Sequence, residues 1–86
     1  MAHTIEFMRA AQRQLEKLPE DAKRSVAAAI RGLANEPLPN GCKALQGASK
    51  GTYRIRIGDY RVIYELHRAR LVVLVIKIGN RSDVYR

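Results

Sequence analysis

Thr52-Tyr53-Arg54-Ile55-Arg56-Ile57-Gly58-Asp59-Tyr60-Arg61-Val62-Ile63-Tyr64-Glu65-Leu66-His67 is the stretch on which the fold turns. Its first six residues alternate, with Tyr53, Ile55 and Ile57 on one face and Thr52, Arg54 and Arg56 on the other. That is the period of a strand covered on one side only. Gly58-Asp59 supplies a two-residue loop suited to a type II′ hairpin turn, whose first central residue needs positive φ. Tyr60 to His67 is then the return strand. If Tyr53, Ile55 and Ile57 face a covering layer, Arg54 and Arg56 emerge on the opposite, open face, with Arg61 near them just past the turn.

Downstream, Leu71 to Gly79 forms a third strand, apolar on both faces except for Lys77, as expected inside a sheet. The turn before it, Arg68-Ala69-Arg70, lacks Gly or Asn, and residues 80–86 form a polar tail. Upstream, residues 35–50 contain Pro37, Pro39, Asn40, Gly41 and Gly47 and read as a connecting loop. Before that loop the period is helical. Met8, Ala11, Leu15 and Leu18 share one face of a first helix, and Val26, Ile30, Leu33 and Ala34 extend the stripe along a second. Pro19 suits the first turn of that second helix, and Glu20 and Asp21 place negative charge at the positive end of its dipole. His3 to Phe7 alternates briefly, as a short first strand would. The expected architecture is α+β in the order β-α-α-β-β-β, with a two-helix hairpin on one face of a small, mainly antiparallel four-stranded sheet.

Eighty-six residues form one domain, 1–86, and an apolar fraction of 47% argues against disorder. The formal net charge of +8 points to a polyanionic partner. Residues 1–49 hold seven Lys/Arg against five Asp/Glu, and residues 50–86 hold nine against three, so the final third carries the field. One cysteine, Cys42, excludes an internal disulfide and fits a reducing cytoplasm. With two scattered histidines there is no zinc-ligand spacing, and no metal or cofactor is expected. The longest apolar run, Leu71 to Ile76, is far too short to span a bilayer, and the N-terminus lacks a signal peptide's apolar stretch. A soluble, unprocessed cytoplasmic protein is expected.

Arg81 follows the last strand and Tyr85 comes four residues later, so both can reach the rim of the face that carries Arg54, Arg56 and Arg61. Guanidinium groups present paired donors to phosphate oxygens and stay charged at any relevant pH. A phenol ring among them can stack on an unpaired base, which makes single-stranded RNA the expected ligand. Lys50, Lys77 and Arg86 extend the basic surface. Composition alone supports binding, not cleavage.

The string Gly51 to Glu65, the apolar strand after it and Gly79-Asn80-Arg81-Ser82-Asp83-Val84-Tyr85-Arg86 resemble the RelE/ParE superfamily of bacterial and archaeal toxins. Phe7 and the helix end Leu15-Glu16-Lys17-Leu18-Pro19 are similar to the same family, so the likeness spans nearly the whole chain. Within it the residues look like the RelE branch of messenger RNA interferases, which act in the ribosomal A site. The resemblance implies metal-independent attack of a ribose 2′-OH on the adjacent phosphate. Arg54, Arg56 and Arg61 would stabilise the phosphate, Arg81 would assist the leaving oxygen and Tyr85 would be the base. It also implies a cognate RelB-like antitoxin. Two departures stand out: Asn80 occupies a place where many relatives carry His or Lys, and the chain stops one residue after Tyr85, without the C-terminal helix of some relatives.

Neither His3 nor His67 is placed for acid–base chemistry, so a site of this kind should be slow on free RNA and depend on the ribosome to position the substrate. Tyr53, Tyr60 and Tyr64 read as packing residues, and Glu65 and Asp83 as charge partners for arginines. Two other outcomes remain open: a ParE-like toxin that inhibits DNA gyrase by binding, and a member that binds RNA without cutting it. Fold does not separate them.

Overall fold

The computed structural model describes residues 2–45, 47 and 51–80. The elements are β1 (Thr4–Phe7), α1 (Arg9–Glu16), α2 (Glu20–Gly32), β2 (Lys43–Ala44), β3 (Thr52–Ile57), β4 (Tyr60–His67) and β5 (Val72–Asn80). One sheet runs in the order β1-β5-β4-β3-β2. β1 lies parallel to β5 and the other neighbours are antiparallel. The α+β class and the helix hairpin agree with the sequence, but the expected four-stranded sheet has a fifth strand. The loop between α2 and the hairpin contributes β2, which pairs Lys43 with Arg54 and Ala44 with Tyr53. Two residues leave no period to read, so nothing in the sequence announces this strand.

β3 and β4 pair in the register Ile57↔Tyr60, which leaves Gly58-Asp59 as the two-residue loop. Gly58 has φ +58 and Asp59 is not among the left-handed residues, as a type II′ turn requires. The turn from β4 to β5 solves its lack of glycine differently. Leu71 itself adopts φ +53, donates its N–H to Arg68 O at 3.2 Å, and accepts at its carbonyl from Thr4 N at 2.7 Å. A left-handed leucine is strained, and its side chain stands 36% exposed.

The helices cover one face, α1 against β5 and α2 against β3. Ala11, Val26, Ile30 and Leu33 meet Ile55, Val62, Tyr64, Val73, Val75 and Ile78 in the core. Met8, expected on the buried stripe, is exposed because it sits at the N-cap of α1 rather than within it. Pro19 likewise precedes α2 as its N-cap instead of occupying the first turn, with Glu20 and Asp21 beginning the helix.

β1 pairs β5 only as far as Val75, and beyond it α1 shields the strand: the Ile78 N–H donates to Gln14 Oε1 at 2.8 Å. The loop after α2 is pinned by Tyr64, whose hydroxyl donates to Pro37 O at 2.6 Å. The Tyr64 ring packs on Tyr53 at 5.9 Å between centroids. Burial raises the Tyr64 phenol well above its ordinary range, helped by the Cys42 thiol and Tyr53.

Candidate nucleic-acid interface

Residues paired across neighbouring strands share a face, so the register fixes the layout of the open side. One row crosses the sheet as Lys43, Arg54, Ile63 and Lys77. The next holds Arg56, Arg61 and Gly79. On the other side lies a row of Thr52, Glu65, Leu74 and Glu6. The open face is therefore polarised. Lys43, Arg54, Arg56, Arg61 and Lys77 occupy two adjacent rows, and the carboxylates of Glu6 and Glu65 stand on the far side of the Arg54 row.

The alternation correctly places Arg54, Arg56 and Arg61 together. It does not anticipate their burial: Arg54 is 5% and Arg61 8% exposed, while Arg56 is open to solvent. A residue on a face the helices leave open is expected to be exposed, yet Arg54 and Arg61 are as buried as Ile63, which shares that face and is 7% exposed. The Arg54 Nε is buried with no hydrogen-bond partner among the described residues. Such a group carries a desolvation penalty that an incoming anion would relieve, and attraction to that anion is strong where water is excluded.

Lys77 is half-buried in the same row. Arg81, Tyr85, Lys50 and Arg86 lie outside the described residues. His67 pairs with Glu65, Nε2 to Oε1 at 2.9 Å, four residues along β4 from Ile63 or about 13 Å away. His3 begins the chain segment leading into β1, on which its backbone N–H donates to Ala34 O at 2.7 Å. Neither imidazole belongs to the cation block. Among the described residues no group of three His, Cys, Asp or Glu is placed to hold a metal, and no helix is long and apolar enough to cross a membrane. Lys43, in a segment that reads as loop, gives no sequence signal for this face, and β2 brings it beside Arg54.

At the β3 edge a cleft of about 560 Å³ opens between α2, the loop that follows it and the strand. Leu33, Ile55 and Ile57 give it apolar walls, and Lys43, Arg54 and Arg56 line it with positive charge.

Residues 5–85 match the family model described as the ParE toxin of the type II toxin–antitoxin system, parDE. The chain is 34% identical to Toxin RelG of Mycobacterium tuberculosis over 87 aligned positions, covering 100% of this chain and 99% of that one. The chain belongs to the RelE/ParE toxin superfamily. Toxin RelE of the same organism is 36% identical over 77 positions, covering 88% of this chain and 78% of that one. Among solved structures, this RelE-family toxin is similar to a chain of the RelBE2 toxin–antitoxin complex of M. tuberculosis, with TM-score 0.81, 30% identity and coverage of 94% and 100%. It is also similar to a chain of the archaeal RelE-RelB complex from Pyrococcus horikoshii, with TM-score 0.83, 27% identity and coverage of 98% and 100%. These likenesses make the chain a type II toxin of the RelE family.

Proposed function

We propose that this toxin is a ribosome-dependent endoribonuclease that cuts messenger RNA in the A site and so stops translation. The observation that carries the proposal is the block of cations on the open sheet face, with the buried, unsatisfied Arg54 Nε at its centre. Charge held in a desolvated, pre-ordered site is what a transition state with extra negative charge on phosphate needs. In the proposed reaction a ribose 2′-OH attacks the adjacent phosphorus, the P–O5′ bond breaks, and the products are a 2′,3′-cyclic phosphate and a free 5′-OH. Arg54, Arg56 and Arg61 neutralise the phosphate. Arg81 assists the leaving oxygen and Tyr85 takes the 2′-OH proton; both roles rest on the family resemblance. Lys50, Lys77 and Arg86 contact the RNA backbone. No metal or cofactor takes part.

The distance of both histidines from the cation block supports dependence on the ribosome, because no imidazole stands ready to move protons at neutral pH. Substrate alignment by the ribosome would supply the missing rate. Residues 1–86 act in this role as one toxin domain in the cytoplasm.

A cognate RelB-like antitoxin is the proposed partner, as the RelE–RelB complexes among the similar structures suggest. An acidic, amphipathic antitoxin segment would cover the helix pair and keep the toxin off the ribosome. Its apolar side suits Leu33, Ile55 and Ile57 of the cleft, and its acidic side suits Lys43 and Arg56. Ribosome binding measured by co-sedimentation should fall when the antitoxin is bound; unchanged binding would refute this arrangement.

The ParE description of the matching family model favours a second reading, inhibition of DNA gyrase by binding without RNA chemistry. Primer extension on messenger RNA translated in a purified system, beside a gyrase supercoiling assay, separates the two. Cuts inside codons that vanish with Arg61→Ala or Tyr85→Phe support the ribonuclease. Loss of supercoiling with intact messenger RNA overturns it.

A further inference from the structure

Lys43 stands directly opposite Arg54 across the β2–β3 pair. It is exposed, and among the described residues it makes no ion pair. Like charges facing each other across strands oppose folding. Here the conflict is compounded by the Arg54 Nε, which is buried without a hydrogen-bond partner among the described residues. Lys43, Arg54 and Arg56 also line one cleft, where Glu36 is the one carboxylate among the described lining residues. A strand of only two residues thus sets an exposed ammonium beside a buried guanidinium. Local conflict of this kind is expected where an external ligand resolves it.

We infer that Lys43 is a phosphate-binding residue of this toxin, holding the RNA backbone one phosphate away from the group bound at Arg54. The inference rests on the RNA reading above and extends the binding track across the sheet, from Lys77 through Arg54 to the β2 edge. The lysine's flexible stem and compact charge suit a neighbouring phosphate whose position shifts, whereas Arg54 is fixed by burial. Lys43 positions substrate and takes no part in proton transfer.

Edge-strand lysines also serve to block strand-to-strand aggregation. The two roles separate by charge sign, because glutamate protects an edge as well as lysine does but repels phosphate. The test compares wild type with Lys43→Gln, Lys43→Glu and Lys43→Arg, using fluorescence anisotropy with a short labelled single-stranded RNA over a salt series. Lys43→Gln should weaken binding about fivefold at low salt and flatten the slope of log K against log salt by about 0.7, the share of one phosphate contact. Lys43→Glu should weaken it further while remaining monomeric by light scattering, and Lys43→Arg should bind within about twofold of wild type. In the translation assay Lys43→Gln should raise the half-saturating ribosome concentration and leave the maximal cutting rate unchanged. Thermal unfolding should show Lys43→Gln at least as stable as wild type, since a like-charge pair has been removed.

Wild type that binds RNA, together with Lys43→Gln of equal affinity and equal salt slope, overturns the role of Lys43 alone. Wild type that fails to bind RNA and cuts nothing on the ribosome overturns the RNA reading itself, and Lys43's role with it.

Discussion

Arg54 is a residue at which the proposed function would oppose stability. A buried guanidinium whose Nε lacks a partner costs folding free energy, and a well-packed apolar side chain in its place removes that cost. Arg54→Met should therefore raise stability by roughly 1–2 kcal/mol in urea titration while abolishing the proposed cleavage. A destabilised variant would show that Arg54 is satisfied in the fold. Tyr64 works the other way. Its hydroxyl holds Pro37, and burial holds its phenol above the ordinary range. The contribution is complete below the unfolded-state value of about 10 and is lost as pH rises beyond it toward the folded value. Wild type should lose stability above about pH 10, and Tyr64→Phe should be about 1 kcal/mol less stable at neutral pH with a flatter alkaline decline. Chemical denaturation at pH 7 and in the alkaline range checks both.

At the scale of the element, the two β-turns differ in how their backbones are tolerated. Gly58 meets its positive φ without a Cβ, whereas Leu71 adopts φ +53 in the turn before β5 with a half-exposed side chain. Leu71→Asn should stabilise the protein by roughly 0.5–1 kcal/mol, because Asn tolerates the left-handed region and little burial is lost. Gly58→Ala should cost about 1 kcal/mol for the converse reason. Thermal melts of the two variants should move in opposite directions, and movement the same way would contradict the turn geometry. β2 shows a further property of elements: a strand too short to have a period exists because its neighbour offers a free edge.

For the whole molecule, the sheet brings Lys43, Arg54, Arg56, Arg61 and Lys77 together on one face. Five cations in two adjacent rows should give RNA binding with a slope of log K against log salt of about −3.5 for a single strand. A slope near zero would mean that the block does not contact phosphates. Glu6 and Glu65 on the other side of the Arg54 row should orient the strand, so charge reversal at Glu65 is expected to change affinity less than reversal at Arg56, measured in the same titration.

The sequence by itself determined the hairpin, the helix pair, β5 as a strand inside the sheet, and the shared face of Arg54, Arg56 and Arg61. All of these follow from local periodicity and turn chemistry, which act over a few residues and survive in a linear string. Only the tertiary structure decided that β1 joins β5 in parallel, that Lys43 stands beside Arg54 on a fifth strand, and that Arg54 and Arg61 are buried on a face without helices. Those outcomes depend on which distant segments meet, and packing between residues far apart in the chain leaves no period to read. The same distinction holds for the candidate site. Alternation placed its arginines on one face, but the burial of Arg54 and Arg61 follows no local period and is seen only in the folded chain.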